Sequence, residues 1–404
     1  MWKFTVAAVF LLIVGCSDGQ RTFLDAFLVP FRKFKVASTR LLDSSINFDE
    51  LRRRNKLQPE ISEDVPFPCD LRGARSAVRP KSVHQLRPGD IDVVGAIGDS
   101  LTAGFGLLAT TLPQVFLENR GLSFSIGGVG TWRQYITVPN LLKVFNPNLV
   151  GFSTTYSSIT TQRSSQFNVA EGGAVSQDTP YMAKVLVTRI LYDPRIDRNN
   201  DWKLITIMIG PNDFCSRICR SSNMEQELSK HEDHIVQVLR TIRDNLPRTI
   251  VNLIPSMDTF ALKRIRNKPA ECYLTHSAEC SCVFGVLHQK NRAKYRHFIQ
   301  RWQNKDVEIA SRKEFQRDDF SVVPQILTIN MSIPLKTDND FDLSYLSADC
   351  FHFSQKGGAI LALGIWNGML QPVGRKTPIM NYHNFTDIRC PDESNPYIFT
   401  LGNS

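Results

Sequence analysis

The 404-residue chain is predicted to be an α/β protein, a three-layer α/β/α sandwich built on a parallel sheet. From Cys69 onward, short apolar runs typical of buried parallel strands alternate with longer segments of helical periodicity. Two of the apolar runs end in glycine-containing turns that carry polar residues, as expected where ligands meet the carboxyl ends of parallel strands. No internal repeat or low-complexity linker divides this region, so one domain is predicted.

The predicted strands are short apolar runs bounded by turn residues. They are Ile91–Ile97, Phe124–Ile126, Leu149–Phe152, Leu204–Ile209, Thr249–Leu253 and Gln325–Ile329. The predicted helices have apolar residues at a spacing of three or four. They are Pro139–Phe145, Pro180–Leu191, Met224–Asn245, Gly285–Gln303 and Gln355–Leu370.

The composition is ordinary for a globular protein, with 42% hydrophobic and 22% charged residues, but the formal charge of +9 makes the surface basic. Anionic lipid surfaces and nucleic acid are the partners that such a charge favours, and a generic basic secreted protein is an equally good interpretation. The sequence contains no helix-turn-helix or RNA-binding signature, which argues against nucleic acid.

The first 19 residues have the form of a secretory signal peptide, with Lys3 followed by the apolar run Phe4–Val14. The run Ile13–Cys16 also resembles a bacterial lipoprotein cleavage site, which is the less favoured alternative. No later apolar stretch is long enough to span a bilayer, and the C-terminus lacks the apolar tail of a lipid-anchor signal. We therefore expect a free, secreted, extracellular protein.

Residues 20–66 are predicted to form a basic N-terminal extension, and residues 67–404 the main folded domain. Within Arg21–Lys56, nine lysine and arginine residues stand against four carboxylates, and phenylalanines recur at helical spacing. A segment lying at a lipid interface is one interpretation. A propeptide, or a helix packed on the domain, is favoured because Pro30 interrupts the pattern.

Eight cysteines remain after the signal segment, an even number that favours disulfides in an exported chain. They are Cys69, Cys215, Cys219, Cys272, Cys280, Cys282, Cys350 and Cys390. Eight cysteines allow 105 pairings, so the sequence leaves the connectivity open. Cys215 and Cys219 with His231 and His234 superficially resemble a zinc site, but the histidine spacing is short, and no metal is predicted. Asn330 and Asn384 lie in glycosylation sequons.

Ser100 lies in Gly98-Asp99-Ser100-Leu101, directly after the first predicted strand. A serine at the carboxyl end of a buried strand, among glycines, can expose its hydroxyl beside backbone N–H groups. Nucleophilic catalysis needs this geometry, because the hydroxyl must reach a carbonyl while nearby donors receive the negative charge. An ordinary turn is the alternative for this motif taken alone.

Asp349 and His352 lie three residues apart, just before the last predicted helix. A serine hydroxyl needs an adjacent base, and an imidazole serves best when a carboxylate fixes its tautomer. Taken alone, Asp349 has the alternative of a surface residue in a turn. Taken alone, His352 has the alternative of a partly buried histidine whose hydrogen bonds are made within the fold. The order Ser…Asp-x-x-His, with further polar turns between, favours catalysis.

Two further turns carry possible hydrogen-bond donors for a developing oxyanion. Asn212 follows the strand Leu204–Ile209, and its side-chain amide is a donor. Gly173 lies in the block Asn168–Ala174, where glycines let a backbone N–H approach a ligand closely.

These blocks together resemble the SGNH, or GDSL, hydrolase superfamily, and in particular its phospholipase B group. The resemblance runs from about Phe67 to the C-terminus. Further short stretches are similar in sequence to the group: Leu86–Ile91, Ser125–Gly128, Pro139–Pro147, Asp201–Leu204, Asp349–Ser354 and Pro372–Lys376.

The resemblance implies a flavodoxin-like fold and a role for each site residue. Ser100 is then the nucleophile, His352 the general base and acid, and Asp349 the carboxylate that orients the histidine. The N–H groups of Ser100 and Gly173, with the Asn212 side chain, form the oxyanion hole. The chemistry requires neither a metal nor an organic cofactor.

The sequence departs from the group's pattern at two positions. Pro211 stands where relatives often have glycine, which stiffens the backbone but leaves the next residue, Asn212, in place. Val129 stands where relatives commonly carry an acidic residue, so the substrate contacts of that loop are expected to differ.

The expected activity is hydrolysis of acyl esters of phospholipids and lysophospholipids through an acyl-enzyme on Ser100, with transient contact to a lipid interface. A secreted esterase acting on short-chain or acetyl esters, including acetylated carbohydrate, is the alternative. A non-catalytic lipid-binding protein would lack one of the three catalytic residues, and none is missing. An α/β-hydrolase would place its serine in a Gly-x-Ser-x-Gly elbow, which the sequence lacks. The oligomeric state is left open.

Overall fold

The computed structural model describes residue 39 and residues 41–329, 331–377 and 381–404. The predicted signal peptide, most of the stretch 20–40 and Asn330 lie outside the described residues. Among the described residues, no helix is both long and apolar enough to cross a membrane.

The strands of the structure form one five-stranded sheet. They are β1 (Ile91–Gly98), β2 (Trp202–Met208), β3 (Thr249–Ile254), β4 (Gln316–Arg317) and β5 (Phe320–Pro324). The order across the sheet is β1-β2-β3-β5-β4, and all neighbours are parallel except the short β4, which pairs antiparallel with β5. The predicted α/β class with a parallel sheet is confirmed.

The α-helices lie between and beyond these strands. They are α1 (Phe48–Arg53), α2 (Ser100–Ala103), α3 (Val138–Phe145), α4 (Thr179–Leu191), α5 (Pro211–Ser216), α6 (Met224–Asn245), α7 (Ala270–Glu279), α8 (Ser281–Phe284), α9 (Arg292–Ala310) and α10 (Gln355–Met369).

The two faces of the sheet carry separate apolar cores, because neighbouring residues of a strand point to opposite sides. Val94 and Leu204 belong to the core that contains helices α3 and α10. Val93 and Ile205 belong to the core that contains α4, α6 and the end of α9. The helices therefore cover both faces, which gives the predicted three layers.

Three of the predicted strands are wrong. The segments Phe124–Ile126 and Leu149–Phe152 form no regular strand, and the ladder contacts near them are isolated bridges such as Val93 with Val150. The third, Gln325–Ile329, is a turn of 3-10 helix over Ile326–Thr328. The fourth parallel strand is instead β5, the apolar run immediately before it, because that run aligns with β3.

The described end of the N-terminal extension packs into the main core. Leu51 on α1 is fully buried there. The Gln58 side chain accepts a hydrogen bond from the Ile136 N–H at 2.7 Å, and its backbone N–H donates to the Gln355 side chain at 2.8 Å. The boundary at residue 67 stays a prediction, and we propose on this packing that the folded domain begins before Phe48.

Candidate active site

Ser100 begins the short helix α2, directly after strand β1. Asp99 caps this helix, since its carboxylate accepts a hydrogen bond from the Leu101 N–H at 2.9 Å. A Cβ on Gly98 would lie 2.7 Å from the Met208 carbonyl oxygen, so the turn approaches β2 as closely as only glycine allows. Ser100 thus lies directly after the first strand, as the sequence predicts, and in the structure it also begins a short helix.

His352 and Asp349 face this serine from the loop before α10. The Nε2 atom of His352 lies 2.9 Å from Ser100 Oγ, and its Nδ1 atom lies 2.6 Å from Asp349 Oδ2. Asp349 is fully buried, whereas Ser100 and His352 each keep 7% of their surface exposed. With the Nδ1 proton donated to the carboxylate, Nε2 is free to accept the serine proton.

The electrostatics of the pair suit this proton transfer. Burial alone would lower the pKa of His352, but the Asp349 carboxylate and the hydrogen bond to it raise that pKa above the ordinary 6.5. Burial works against ionisation of Asp349 as well. The charge of His352 and hydrogen bonds from it and from the Phe351 N–H nevertheless keep the pKa of Asp349 below its usual value. Asp349 is therefore ionised, and its charge favours the protonated form of His352.

The loop that carries the pair is clamped by helix α7. Cys350, between Asp349 and His352, has a φ of +58° and forms a disulfide with Cys272 of α7. From the same helix, the Thr275 hydroxyl donates to the Asp349 carbonyl at 2.7 Å. His276 Nε2 lies 2.8 Å from the Cys350 carbonyl, to which it donates. One covalent bond and two hydrogen bonds therefore fix the backbone on either side of Cys350.

The loops around serine and histidine also contact each other directly. The Ser347 hydroxyl donates to the Gly106 carbonyl at 2.6 Å, and the Ser347 N–H donates to the His352 carbonyl at 2.8 Å. That second bond joins backbone groups within the histidine loop. The Phe105 ring stacks on the imidazole with centroids 5.7 Å apart. These contacts limit the movement of the imidazole relative to the nucleophile.

The segments that carry the predicted oxyanion donors also meet. The Asn212 side-chain amide donates to the Ala174 carbonyl at 2.8 Å, and the Glu171 N–H donates to the carbonyl at the end of β1 at 3.2 Å. Gly173 has a φ of +79°, and a Cβ there would meet no atom within 4 Å. The Ser100 N–H is at the first position of a helix, where it has no intrahelical acceptor. The role of these donors stays a prediction.

All eight cysteines after the signal segment pair in the structure. The disulfides are Cys69–Cys390, Cys215–Cys280, Cys219–Cys282 and Cys272–Cys350. Three of them tie the segment Lys263–Cys282, here called the insertion, to the rest of the domain. The two cysteines of the zinc-like pattern are consumed in these bonds, so they offer no thiolate to a metal.

Sequence reasoning missed the residues of the insertion that surround Asp349 and His352. Thr275 and His276 hold the loop, and Glu279 lies so near that its carboxylate, the Asp349 carboxylate and an imidazole nitrogen are within 4.8 Å of one another. That spacing would admit a metal ion, but both imidazole nitrogens are already hydrogen-bonded to Ser100 and Asp349. The cysteines next to these residues in the sequence were the available signal. Only the disulfide pairing shows that the insertion lies beside the loop that carries Asp349 and His352.

The structure describes the asparagine of one of the two glycosylation sequons. Asn384 is exposed, and its side-chain oxygen accepts hydrogen bonds from the N–H and the hydroxyl of Thr386. Asn330 lies outside the described residues. Glycosylation of either stays a prediction.

Comparison with known families gives one domain match. The profile described as "GDSL-like Lipase/Acylhydrolase" matches residues 94–365, a range that contains Ser100, Asp349 and His352.

The chain is also similar to large mammalian proteins. It is 40% identical over 345 residues to "Phospholipase B1, membrane-associated" of Homo sapiens, covering 84% of this chain and 23% of that protein. It is 37% identical over 343 residues to the protein of the same name in Mus musculus, covering 84% of this chain and 22% of that protein. The chain thus spans about a quarter of the length of these curated relatives. Among solved structures, an acetyl xylan esterase variant from Geobacillus stearothermophilus aligns with 14% identity and a TM-score of 0.34, over 69% of this chain and 95% of that one.

Proposed function

Because this chain belongs to the GDSL-like lipase/acylhydrolase family, we propose that it is a carboxylic ester hydrolase acting on phospholipids and lysophospholipids. The observation that carries the proposal is the series of contacts from Ser100 through His352 to Asp349, at 2.9 and 2.6 Å. A nucleophile, a base and an orienting carboxylate in this sequence are the components that acyl transfer requires.

The proposed reaction has two steps. Ser100 Oγ attacks the ester carbonyl while His352 Nε2 takes the hydroxyl proton, and the tetrahedral oxyanion is held by the Ser100 and Gly173 N–H groups and the Asn212 amide. The protonated His352 then gives its proton to the leaving alcohol, and an acyl-enzyme remains. In the second step His352 activates water, which releases the acid and restores the serine.

The substrate class rests on the relatives. The curated proteins that share 37–40% of aligned residues are named phospholipase B1, which supports a phospholipid substrate here as well. A small acyl or acetyl ester is the alternative, since the same catalytic groups would act on it.

Product analysis separates these two substrate classes. The purified chain is incubated with phosphatidylcholine vesicles whose two acyl chains differ in mass, and in parallel with a soluble acetyl ester. Release of both fatty acids, absent in Ser100→Ala, is the expected result. Turnover of the acetyl ester alone would contradict the phospholipid assignment, and vesicle hydrolysis by Ser100→Ala would contradict the nucleophile.

Transient contact with a lipid surface is part of the proposal. It is supported by the stretch 263–296, which contains the insertion and the residues that follow it. Four apolar side chains of this region are largely exposed: Tyr273 at 56%, Leu274 at 71%, Val286 at 81% and Leu287 at 93%. The stretch 263–296 also holds eight lysine and arginine residues against two carboxylates, a net charge of +6. Apolar side chains beside a cationic surface suit the boundary of an anionic bilayer.

Vesicle sedimentation tests this contact without requiring catalysis. Ser100→Ala protein is mixed with vesicles containing phosphatidylserine, and its bound fraction is compared with that of Ser100→Ala carrying Val286→Ser and Leu287→Ser. The control carries Val78→Ser and Tyr192→Ser, which remove apolar side chains that are 80% and 83% exposed elsewhere. Weaker binding only for the first pair is expected, and equal binding of all three proteins would contradict the assignment.

Export from the cell is proposed on the form of the first 19 residues and the exposed Asn384 sequon. The four disulfides support it, because such bonds persist in oxidising compartments. Mass analysis of the protein secreted by a eukaryotic host would identify the mature N-terminus and any glycan on Asn384.

A further inference from the structure

A second carboxyl group lies against the histidine and aspartate of the site. Glu279 is the last residue of α7, and its carboxylate lies within 4.8 Å of both the Asp349 carboxylate and an imidazole nitrogen of His352. The helix cannot easily withdraw, because Cys272 near its start is bonded to Cys350, and Cys280 just after its end is bonded to Cys215. The fold therefore holds Glu279 beside the catalytic pair by covalent bonds on both sides.

The two carboxyl groups have very different partners. Asp349 accepts hydrogen bonds from the His352 ring and from the N–H groups of Phe351 and His352. Glu279 Oε2 is buried and makes no hydrogen bond among the described residues. Two carboxylates this close in a buried site do not both ionise readily, and the one with more donors holds the charge.

The pKa directions agree with this assignment. Burial and the negative charge of Asp349 raise the pKa of Glu279 well above its usual value, whereas the charge of His352 works in the opposite direction. Glu279 therefore carries a proton in the resting site while Asp349 is ionised. Removal of Asp349 would remove the repulsion that favours the protonated form of Glu279.

We propose that Glu279 is a positioning residue that acts through His352, as a reserve carboxyl able to support the imidazolium in part when Asp349 is absent. This inference rests on the proposed esterase function. In the intact site, Asp349 holds the Nδ1 proton, and Glu279 remains neutral beside it. In Asp349→Ala, Glu279 ionises next to His352 and stabilises the charge that the imidazole gains when it takes the serine proton.

A double-mutant cycle tests the proposal, with turnover measured on a soluble ester so that lipid binding plays no part. Glu279→Gln alone is expected to lower kcat less than about threefold, and Asp349→Ala alone by about 10². The double variant is expected to fall by about 10⁴, the scale seen where a triad carboxylate is lost without replacement. A Glu279→Gln effect of the same size in both backgrounds would overturn the proposal.

The pH profile provides a readout that a merely structural role would not change. Because Glu279 is ionised beside His352 only when Asp349 is absent, Glu279→Gln is expected to move the acidic limb of kcat/KM to lower pH in the Asp349→Ala background and to leave it nearly unchanged in the presence of Asp349. Glu271→Gln is the matched control, since Glu271 is exposed in the first turn of the same helix. Coincident acidic limbs for Asp349→Ala with and without Glu279→Gln would also contradict the proposal.

Failure of this inference is distinguishable from failure of the proposed function. If the unmodified chain hydrolyses no ester, the proposed function fails. NMR titration of the His352 ring in Ser100→Ala that also carries Asp349→Ala, with and without Glu279→Gln, then still decides the inference. A lower midpoint with Glu279→Gln supports the role of Glu279, and an unchanged midpoint rejects it.

Discussion

Ser100 and His352 lie 2.9 Å apart, yet the chain holds them in different ways. The serine follows β1, whose residues are almost all buried and whose backbone is paired with β2 along its length. The histidine lies in an irregular loop that is held by a disulfide and by hydrogen bonds from Thr275 and His276 to its carbonyl groups. The first half of the site is fixed by the sheet, and the second by an insertion.

The two halves of the site are expected to respond differently to mutation. A change that displaces Ser100 must first disturb the buried sheet, so folding and activity should then fail together. Loss of a hydrogen-bond donor at the end of a strand should instead lower activity while the sheet stays intact. A change in the insertion can displace His352 while the sheet remains intact, so activity should fail first. Three variants, ordered by their expected effect, test this difference.

The largest effect is expected from Asn212→Ala, at the end of β2. Loss of one oxyanion donor typically lowers kcat by about 10² to 10³, whereas loss of its hydrogen bond to Ala174 should lower the free energy of unfolding by only about 1 kcal/mol. Asn223→Ala is the control, because the Asn223 side chain caps α6 and its loss has a similar cost in stability. Equal activity losses in the two variants would show that Asn212 acts only through folding.

Removal of the clamp should have the next largest effect. Cys272→Ser with Cys350→Ser is expected to lower kcat about tenfold at a temperature where the protein is still folded, a change of about 1.4 kcal/mol in the activation barrier. Cys69→Ser with Cys390→Ser is the matched control, and should lower Tm through a loss of about 2 to 5 kcal/mol with little change in kcat. If removal of either disulfide lowers kcat to the same extent, the disulfide between the insertion and the histidine loop does not position His352.

The smallest expected effect is a shift of the pH profile. His352 accepts a proton only when neutral, so kcat/KM should fall as the pH drops through its raised pKa, with a midpoint above the ordinary 6.5. Because the Asp349 charge raises that pKa, Asp349→Asn should move the midpoint to lower pH as well as lowering the rate. A midpoint that does not move would mean that another group titrates in the acidic limb.

The sequence allowed one half of the site to be predicted more fully than the other. Ser100 and Asn212 follow apolar runs that become neighbouring parallel strands, and the carboxyl ends of such strands meet at one edge of the sheet. The pairing of Asp349 with His352 followed from their spacing of three residues. Glu279 could not be predicted, since its proximity depends on which of the possible cysteine pairs form.

The wrong strands have a similar cause. Six of the ten residues from Phe320 to Ile329 are apolar, and they lie on both sides of Pro324 and Gln325, so the sequence pattern does not mark which run forms the strand. Its position is set by alignment with β3, in which Val322 lies beside Val251. Pairing with β3 therefore places the strand at Phe320–Pro324 and not at the predicted run Gln325–Ile329.

The most direct test of the account is covalent labelling of the site with an alkyl fluorophosphonate, which reacts with activated serine hydroxyls. Intact mass and peptide mapping should show one adduct, on Ser100, formed at least about 10² times more slowly in His352→Ala because the hydroxyl has then lost its base. Labelling of another residue, or labelling of Ser100 at the same rate without His352, would contradict the claim that strand and insertion together build the nucleophile.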